Sequence, residues 1–186
     1  MTIAAIPDLV EAPSWSIRPE LPIDLDQIHD LHRAAFRRSA EAELVDAIRS
    51  GADFIRELSL VAVATDGSVL GHVLVSRIGF DEDGAASRLD VLALAPLAVL
   101  PPHWGRGIGS ALTNEVLSAS DARDEPFVVV LGSPDYYARF GFEPAVEYGI
   151  NGPYDGAGDA FQVRGRGGAT PSAPGTVVYP AMFDGI

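Results

Sequence analysis

Apolar and polar positions near the start of the chain predict a short strand at residues 15–18, followed by two amphipathic helices. Over residues 24–36 the apolar side chains recur at helical spacing, which indicates one buried helix face. These side chains are Leu25, Ile28, Leu31 and Ala35. A second helix is predicted to begin at Ser39 or Ala40 and to end near Gly51. Its predicted core face consists of Leu44, Ala47 and Ile48.

Strand patterns dominate the next part of the chain. Residues 58–64 and 69–80 are predicted strands on either side of an Asp-Gly turn. An acidic loop at residues 81–84 leads into a long predicted strand over residues 85–99, which Pro96 interrupts. Proline has no N–H to donate to a sheet ladder, so it belongs at an edge or a bulge.

Two further strands are predicted at residues 127–131 and 176–180, and the second of these closes the sheet. Residues 149–168 between them are rich in glycine. They are predicted to form either a loop that sets ligand specificity or a plain connection, and the pattern leaves both open. Residues 1–13 show no periodicity and are predicted to be a loose arm. One domain over residues 14–186 is therefore expected.

The most informative stretch joins the interrupted strand to the next helix, within residues 94–119. A glycine-rich turn, Gly105-Arg106-Gly107-Ile108-Gly109, comes directly before the apolar pattern of the helix. The first N–H groups of a helix lack intrahelical partners and carry positive potential, so this junction can bind an anion such as pyrophosphate. Arg106 can add a charged contact. The glycine spacing is tighter than GxGxxG, and the chain has no lysine for a P-loop.

These residues resemble a known family. Residues 97–101 and 104–112 are similar to the acetyl-CoA-binding motif of the GNAT N-acetyltransferase superfamily, usually written Gln/Arg-x-x-Gly-x-Gly/Ala. A second match follows in the predicted strand at residues 127–131 and in residues 135–142. The resemblance covers roughly residues 15–150. One departure is Trp104, which stands where the family usually has Gln or Arg, so that position would bind through its backbone.

The resemblance implies an α/β (α+β) fold, in which helices flank a mixed, mostly antiparallel sheet. It also implies a β-bulge at Pro96 that splays this strand from the strand at residues 127–131. The pantetheine arm of acetyl-CoA would enter the resulting slot and pair with the backbone of residues 97–99. The implied cofactor-binding residues are Leu97, Ala98, Val99, Trp104, Gly105, Arg106, Gly107, Ile108, Gly109 and Ser110.

The activity implied by the resemblance is direct transfer of an acetyl group from acetyl-CoA to a primary amine. Tyr137 lies where the family places the general acid that protonates the departing thiolate, with Tyr136 as its rival. A phenol titrates near pH 10 and a thiol near 8.5, so the phenol can supply this proton. Adjacent helical residues point about 100° apart, so one of the two tyrosines should face the slot. The candidates for the base are Asp90, Glu41, Glu43 and His72.

Composition excludes several classes of protein. The formal net charge of −13 repels nucleic-acid phosphates. It could attract a cationic amine, although an acidic, solvated surface is the simpler interpretation. The absence of cysteine rules out disulfides and cysteine ligands, and the four histidines lack metal-ligand spacing, so no metal is predicted. No apolar run is long enough to span a membrane, and the N-terminus lacks a basic secretory segment, which predicts a cytoplasmic protein.

Two other classes of function remain open at this point. The chain could be a module that senses acyl-CoA through an intact slot without performing chemistry. It could also be a Rossmann-like nucleotide binder, although the consecutive strands before Gly107 argue against alternating strand and helix units. The acceptor (a small amine, an antibiotic, a peptide N-terminus or a protein lysine) and a homodimeric assembly are also left open.

Overall fold

The computed structural model describes residues 14–169 and 174–184, so the predicted arm at residues 1–13 lies outside the described residues. Its α-helices are α1 (Leu25–Phe36), α2 (Ala40–Arg49), α3 (Ile108–Asp121) and α4 (Pro134–Tyr137). Its strands are β1 (Trp15–Pro19), β2 (Ser59–Ala64), β3 (Val69–Glu82), β4 (Leu89–Val99), β5 (Phe127–Leu131), β6 (Glu143–Pro144), β7 (Ile150–Asn151), β8 (Phe161–Gly165) and β9 (Gly175–Val178). Within these residues no helix is both long and apolar enough to cross a bilayer.

All nine strands belong to one sheet, whose main path runs β1-β2-β3-β4-β5-β8-β6. Strand β9 extends the sheet from the far end of β3, and β7 pairs with β9. The pairs β4–β5 and β7–β9 are parallel and the other pairs are antiparallel. The predicted mixed, mostly antiparallel sheet is therefore confirmed, and its run of antiparallel neighbours is unlike the alternating units of a Rossmann domain.

The sheet has an apolar core on each face. Successive residues of β2 alternate between the two cores, because side chains along a strand point to opposite faces. Val61 and Val63 belong to the core beneath α1 and α2, whereas Leu60 and Ala62 belong to the core beneath α3. Both faces of β2 are thus buried, which explains why its sequence is apolar throughout.

Three local predictions differ from the structure. Ala47, predicted on the core face of α2, is exposed, and Val45 takes a buried position instead. The long strand begins at Leu89 rather than at residue 85, because the chain first turns after Glu82. The glycine-rich residues 149–168 contain strands β7 and β8 in addition to turns. The buried Phe161 and Val163 hold β8 against β5.

A β-bulge interrupts β4 at the predicted proline. Val73 of β3 lies opposite Leu97 and Val75 lies opposite Leu94, so β4 uses three steps where β3 uses two. The extra residue falls in the segment that contains Pro96. The pairing of β4 with β5 covers Leu92–Leu94 and stops there. The predicted bulge and splayed strands are therefore confirmed, and the opening between β4 and β5 begins just beyond Leu94.

Candidate active site

The part of β4 beyond the bulge presents backbone groups to the opening. Leu100 N–H donates to Leu70 C=O at 2.9 Å, and hydrogen-bonded pairs alternate along an antiparallel ladder. By this alternation Ala98 bonds across to β3, whereas Leu97 and Val99 direct their N–H and C=O groups away from β3. Since β5 pairs with β4 no further than Leu94, an extended molecule can take the vacant place beside Leu97 and Val99. Ala98 is also a predicted cofactor-binding residue, but its N–H and C=O groups face β3 and do not reach this edge.

The glycine-rich turn closes one end of the opening around a cavity of about 460 Å³, here called the turn cavity. Gly105 and Gly107 have φ values of 74° and 81°, a left-handed conformation that suits glycine. Gly107 is the N-cap of α3, and Ala111 N–H is the first to bond back, to Gly107 C=O at 3.0 Å. The three preceding amides of α3, at Ile108, Gly109 and Ser110, have no intrahelical partner. They form a helix terminus beside the turn cavity, an arrangement whose N–H groups and dipole suit an anion.

Trp104 and Arg106, both predicted to bind the cofactor, face different cavities. Trp104 lines the turn cavity, and its indole N–H donates to Val99 C=O at 2.7 Å. It thereby joins the end of β4 to the turn instead of offering a charged group. Arg106 does not line the turn cavity, because it faces a separate surface depression that also includes Trp15. His103 borders both the turn cavity and this surface depression.

A second cavity, of about 360 Å³, lies at the splayed ends of β4 and β5 and is here called the splay cavity. Ala95 and Pro96 of the bulge line it, together with Leu131 and Gly132 at the end of β5. Leu97 lines both the turn cavity and the splay cavity, so the two meet where β4 leaves β5. A ligand that follows β4 from the turn therefore arrives at the splay cavity.

The two adjacent tyrosines of α4 face different cavities. Tyr137 lines the splay cavity, and its ring packs so closely on Gly132 that a side chain at that position would overlap it. Tyr136 lines the turn cavity, where its hydroxyl lies 3.3 Å from Thr113 Oγ1 and Arg139 stacks over its ring. Burial raises the pKa of Tyr137 above that of an ordinary phenol, so its hydroxyl keeps its proton. No hydrogen-bond partner for this hydroxyl is found in residues 14–169 and 174–184.

Of the four candidate bases, Glu41 is the one that lines the splay cavity. Its carboxylate is almost fully buried and is paired with Arg38, whose Nε lies 2.8 Å from Oε1 and 3.0 Å from Oε2. Glu43 is exposed on α2. Asp90 is exposed at the opposite end of β4, where it faces Arg77. Neither of these two is brought to the cavity.

His72, the fourth candidate, lies inside the core in a chain of polar contacts that the sequence analysis missed. Ser59 Oγ donates to Glu20 Oε2 at 2.7 Å, so it accepts from His72 Nε2–H at 2.9 Å. His72 Nδ1 then accepts from His32 Nε2–H at 2.9 Å. Arg49 completes the chain at Glu20. The one available signal was a histidine and a serine inside otherwise apolar strand patterns.

Burial and hydrogen bonding together decide the charge states in this chain of polar contacts. Burial lowers the pKa of His72. The pKa of His32 is lowered to about 2, mainly by burial and also by the neighbouring His72, so both imidazoles are neutral. Hydrogen bonds from His72, Arg49 and Ser59 outweigh burial and lower the pKa of Glu20 to about 2. These polar contacts connect α1 and α2 to the sheet, so they support the wall of the splay cavity that the two helices form. The described residues contain no group of three or more metal-ligating side chains.

The fold and the slot define the class of protein. The chain belongs to the GNAT acetyltransferases, since the model of the acetyltransferase (GNAT) family matches residues 25–142. Among curated proteins it is 36% identical over 169 residues to the uncharacterized N-acetyltransferase YhbS of Escherichia coli K12, covering 90% of this chain and 98% of YhbS. It is 34% identical over 132 residues to YjhQ of the same strain, covering 70% of this chain and 71% of YjhQ.

Two solved structures show the same architecture with coenzyme bound. The YhbS structure from Escherichia coli in complex with CoA has a TM-score of 0.83 at 34% identity and covers 93% of both chains. A GNAT family acetyltransferase from Brucella melitensis in complex with acetyl-CoA has a TM-score of 0.72 at 34% identity. That match covers 91% of this chain and 98% of the Brucella chain.

Proposed function

We propose that this chain transfers the acetyl group of acetyl-CoA directly to a primary amine. Its membership of the GNAT acetyltransferases supports acyl transfer, and the complexes of YhbS with CoA and of the Brucella protein with acetyl-CoA support the donor. The observation that carries the proposal is the meeting of the two cavities at Leu97. One cavity has the helix terminus that suits pyrophosphate, and the other has the buried tyrosine.

The residues of the turn and of β4 bind the donor. The free amides of Ile108, Gly109 and Ser110 receive the pyrophosphate, where the dipole of α3 adds favourable potential. Leu97 C=O and Val99 N–H, which face away from β3, pair with the pantetheine amides as an added strand would, while Val99 C=O accepts from the Trp104 indole. This register brings the thioester to Leu97 and the bulge, at the entrance of the splay cavity.

The reaction then needs a nucleophile, a site for negative charge and a proton. The amine nitrogen attacks the thioester carbon, and the resulting oxyanion accepts a hydrogen bond from the outward-facing Leu97 N–H. Collapse of this intermediate breaks the C–S bond, and Tyr137 gives its proton to the leaving thiolate. Its raised pKa keeps that proton available at neutral pH. The proton lost by the amine leaves through Glu41 or a water beside it, which then allows Tyr137 to be reprotonated.

Calorimetric binding of acetyl-CoA, followed by release of free thiol with a panel of primary amines at pH 8, tests this proposal. Gly107→Ala should weaken acetyl-CoA binding at least fivefold, because φ is 81° and the new methyl group stands at the anion-binding turn. Gly67→Ala is the matched control: its φ is 88°, it also has open space around it, and it lies in the β2–β3 turn. Its acetyl-CoA affinity should equal that of the wild type.

The outcomes separate the alternatives. Tight binding together with amine-dependent thiol release supports the transferase. Tight binding without thiol release from any amine would contradict it and would favour a module that senses acyl-CoA. Absence of acetyl-CoA binding would contradict both.

A further inference from the structure

The walls of the splay cavity carry information about the acceptor that the family does not supply. Tyr154, Tyr179 and Phe183 form a continuous aromatic wall. The ring centroids of Tyr154 and Tyr179 are 5.3 Å apart at 75°, and those of Tyr179 and Phe183 are 4.9 Å apart at 62°. Phe36 from the end of α1 adds a partly exposed ring. Ring edges and faces at these separations favour a further aromatic group.

The polar lining of the same cavity is sparse. Among the described residues that line it, Glu41 is the one carboxylate and Arg38 the one guanidinium. Arg38 donates twice to Oε1 of Glu41 and once, at 3.0 Å, to Oε2. Oε2 therefore keeps acceptor capacity for one further donor. Burial raises the pKa of Tyr154 and of Tyr179, so these hydroxyls add no negative charge.

This lining discriminates among amines. A single carboxylate oxygen with room for one further donor suits one ammonium group, and a polyamine would have to bury further charges without partners, which is costly. A peptide would bring backbone amides against rings that offer few hydrogen bonds. The volume of about 360 Å³ is near the lower end of small-molecule sites, which span roughly 300–1,000 Å³. That space accommodates one ring with a short side chain.

We infer that the acceptor is a small arylalkylamine, a primary amine joined by a short alkyl chain to an aromatic ring. The ring packs against Tyr154, Tyr179 and Phe183, and the nitrogen lies between Glu41 Oε2 and the thioester at Leu97. This inference rests on the proposed function, because an acceptor is a substrate only if the chain transfers acetyl groups.

Equilibrium binding to the protein saturated with CoA, which has no acetyl group to transfer, tests the acceptor class without turnover. The probes are 2-phenylethylamine, butylamine, spermidine and 2-phenylethanol. We expect 2-phenylethylamine to bind at least tenfold more tightly than butylamine or spermidine. Phe36→Leu should weaken its binding at least threefold and leave butylamine unchanged, and this partly exposed position tolerates the change. Phe183→Leu tests the aromatic wall directly, and Ile23→Ala, at an 80% exposed position, is the control.

Glu41→Gln tests the nitrogen end of the same ligand. The variant should lose at least fivefold in affinity for 2-phenylethylamine and stay within twofold for 2-phenylethanol, which has the ring but no charge. Spermidine or butylamine binding as tightly as 2-phenylethylamine would overturn the inference, as would indifference to both phenylalanine variants. Binding of 2-phenylethylamine without acetyl transfer would contradict the proposed function alone. Thiol release with spermidine, without arylalkylamine binding, would contradict the acceptor class alone.

Discussion

Replacing Tyr137 with phenylalanine should separate catalysis from stability. The change removes one hydroxyl from the splay cavity and keeps the ring that packs on Gly132. The hydroxyl has no hydrogen-bond partner in the part of the chain that the structure describes, so the free energy of unfolding should change by less than about 1 kcal/mol. A general acid contributes roughly 10²–10⁴ in rate, which corresponds to about 3–5 kcal/mol in the barrier.

The assay is thiol release under saturating acetyl-CoA and amine, measured from pH 7 to pH 10. We expect kcat to fall at least 100-fold at pH 7.5, because the leaving thiolate loses its proton donor. The affinity for acetyl-CoA should stay unchanged. The deficit should narrow above about pH 8.5, because a thiolate then leaves without needing a proton. In the wild type Tyr137 should stay protonated at that pH, since burial raises its pKa.

Two control variants make this experiment decisive. Tyr148→Phe removes a hydroxyl at a position that lines neither cavity and should leave kcat unchanged. Tyr136→Phe alters the turn cavity and should act on the KM for acetyl-CoA rather than on the pH profile. A Tyr137→Phe rate within threefold of the wild type, or a pH-independent deficit, would refute the assignment of the acid.

Two further predictions concern the supports of the cavity. Gly132→Ala should lower kcat at least tenfold and leave acetyl-CoA binding unchanged, because the new methyl group overlaps the Tyr137 ring and displaces it; thiol release and calorimetry measure the two effects, and an unchanged kcat would argue against a fixed ring position. The second prediction concerns acid. The pKa values of His32 and His72 are lowered on folding, so the unfolded chain binds more protons and stability should fall as the pH drops below about 6.5. Each neutral buried histidine contributes up to about 1.4 kcal/mol per pH unit. Glu20, with its pKa of about 2, adds a further loss below its unfolded value of 4.5. Urea unfolding at pH 5 and pH 7 measures the histidine contribution, and a further measurement at pH 3.5 adds that of Glu20; equal midpoints at pH 5 and pH 7 would contradict neutral buried imidazoles.

The sequence pattern predicted the sheet and the site unevenly, for physical reasons. Pro96 predicted the bulge because a missing N–H has a fixed consequence in a ladder, and the register shift between Leu94 and Leu97 agrees with it. The turn at Gly105 and Gly107 was also recognisable, because left-handed φ values call for glycine. Ala98 shows the limit of this reasoning. The direction in which each backbone group of residues 97–99 points depends on register, and the uninterrupted apolar sequence of this part of the strand has no alternation that would fix it.

The splay cavity could not be assembled from the sequence. Tyr154 and Tyr179 lie in segments without strong periodicity. They follow β7 and β9, which pair in parallel, and their rings meet beyond that pairing. Which of Tyr136 and Tyr137 lines the splay cavity likewise depends on the orientation of α4 against Gly132. The histidine chain depends on contacts between α1, β2 and β3, which are far apart in sequence.

Amide hydrogen exchange with and without saturating acetyl-CoA tests the central claim, that this slot binds the donor through the free backbone of β4 and the turn. The N–H groups of Leu97 and Val99, and those of Ile108, Gly109 and Ser110, should become protected when acetyl-CoA is added. Ala98 N–H, which bonds to β3, should already be protected without ligand and should change little. Unchanged exchange at Leu97 and Val99 at saturation, with protection appearing elsewhere, would contradict this account of the site.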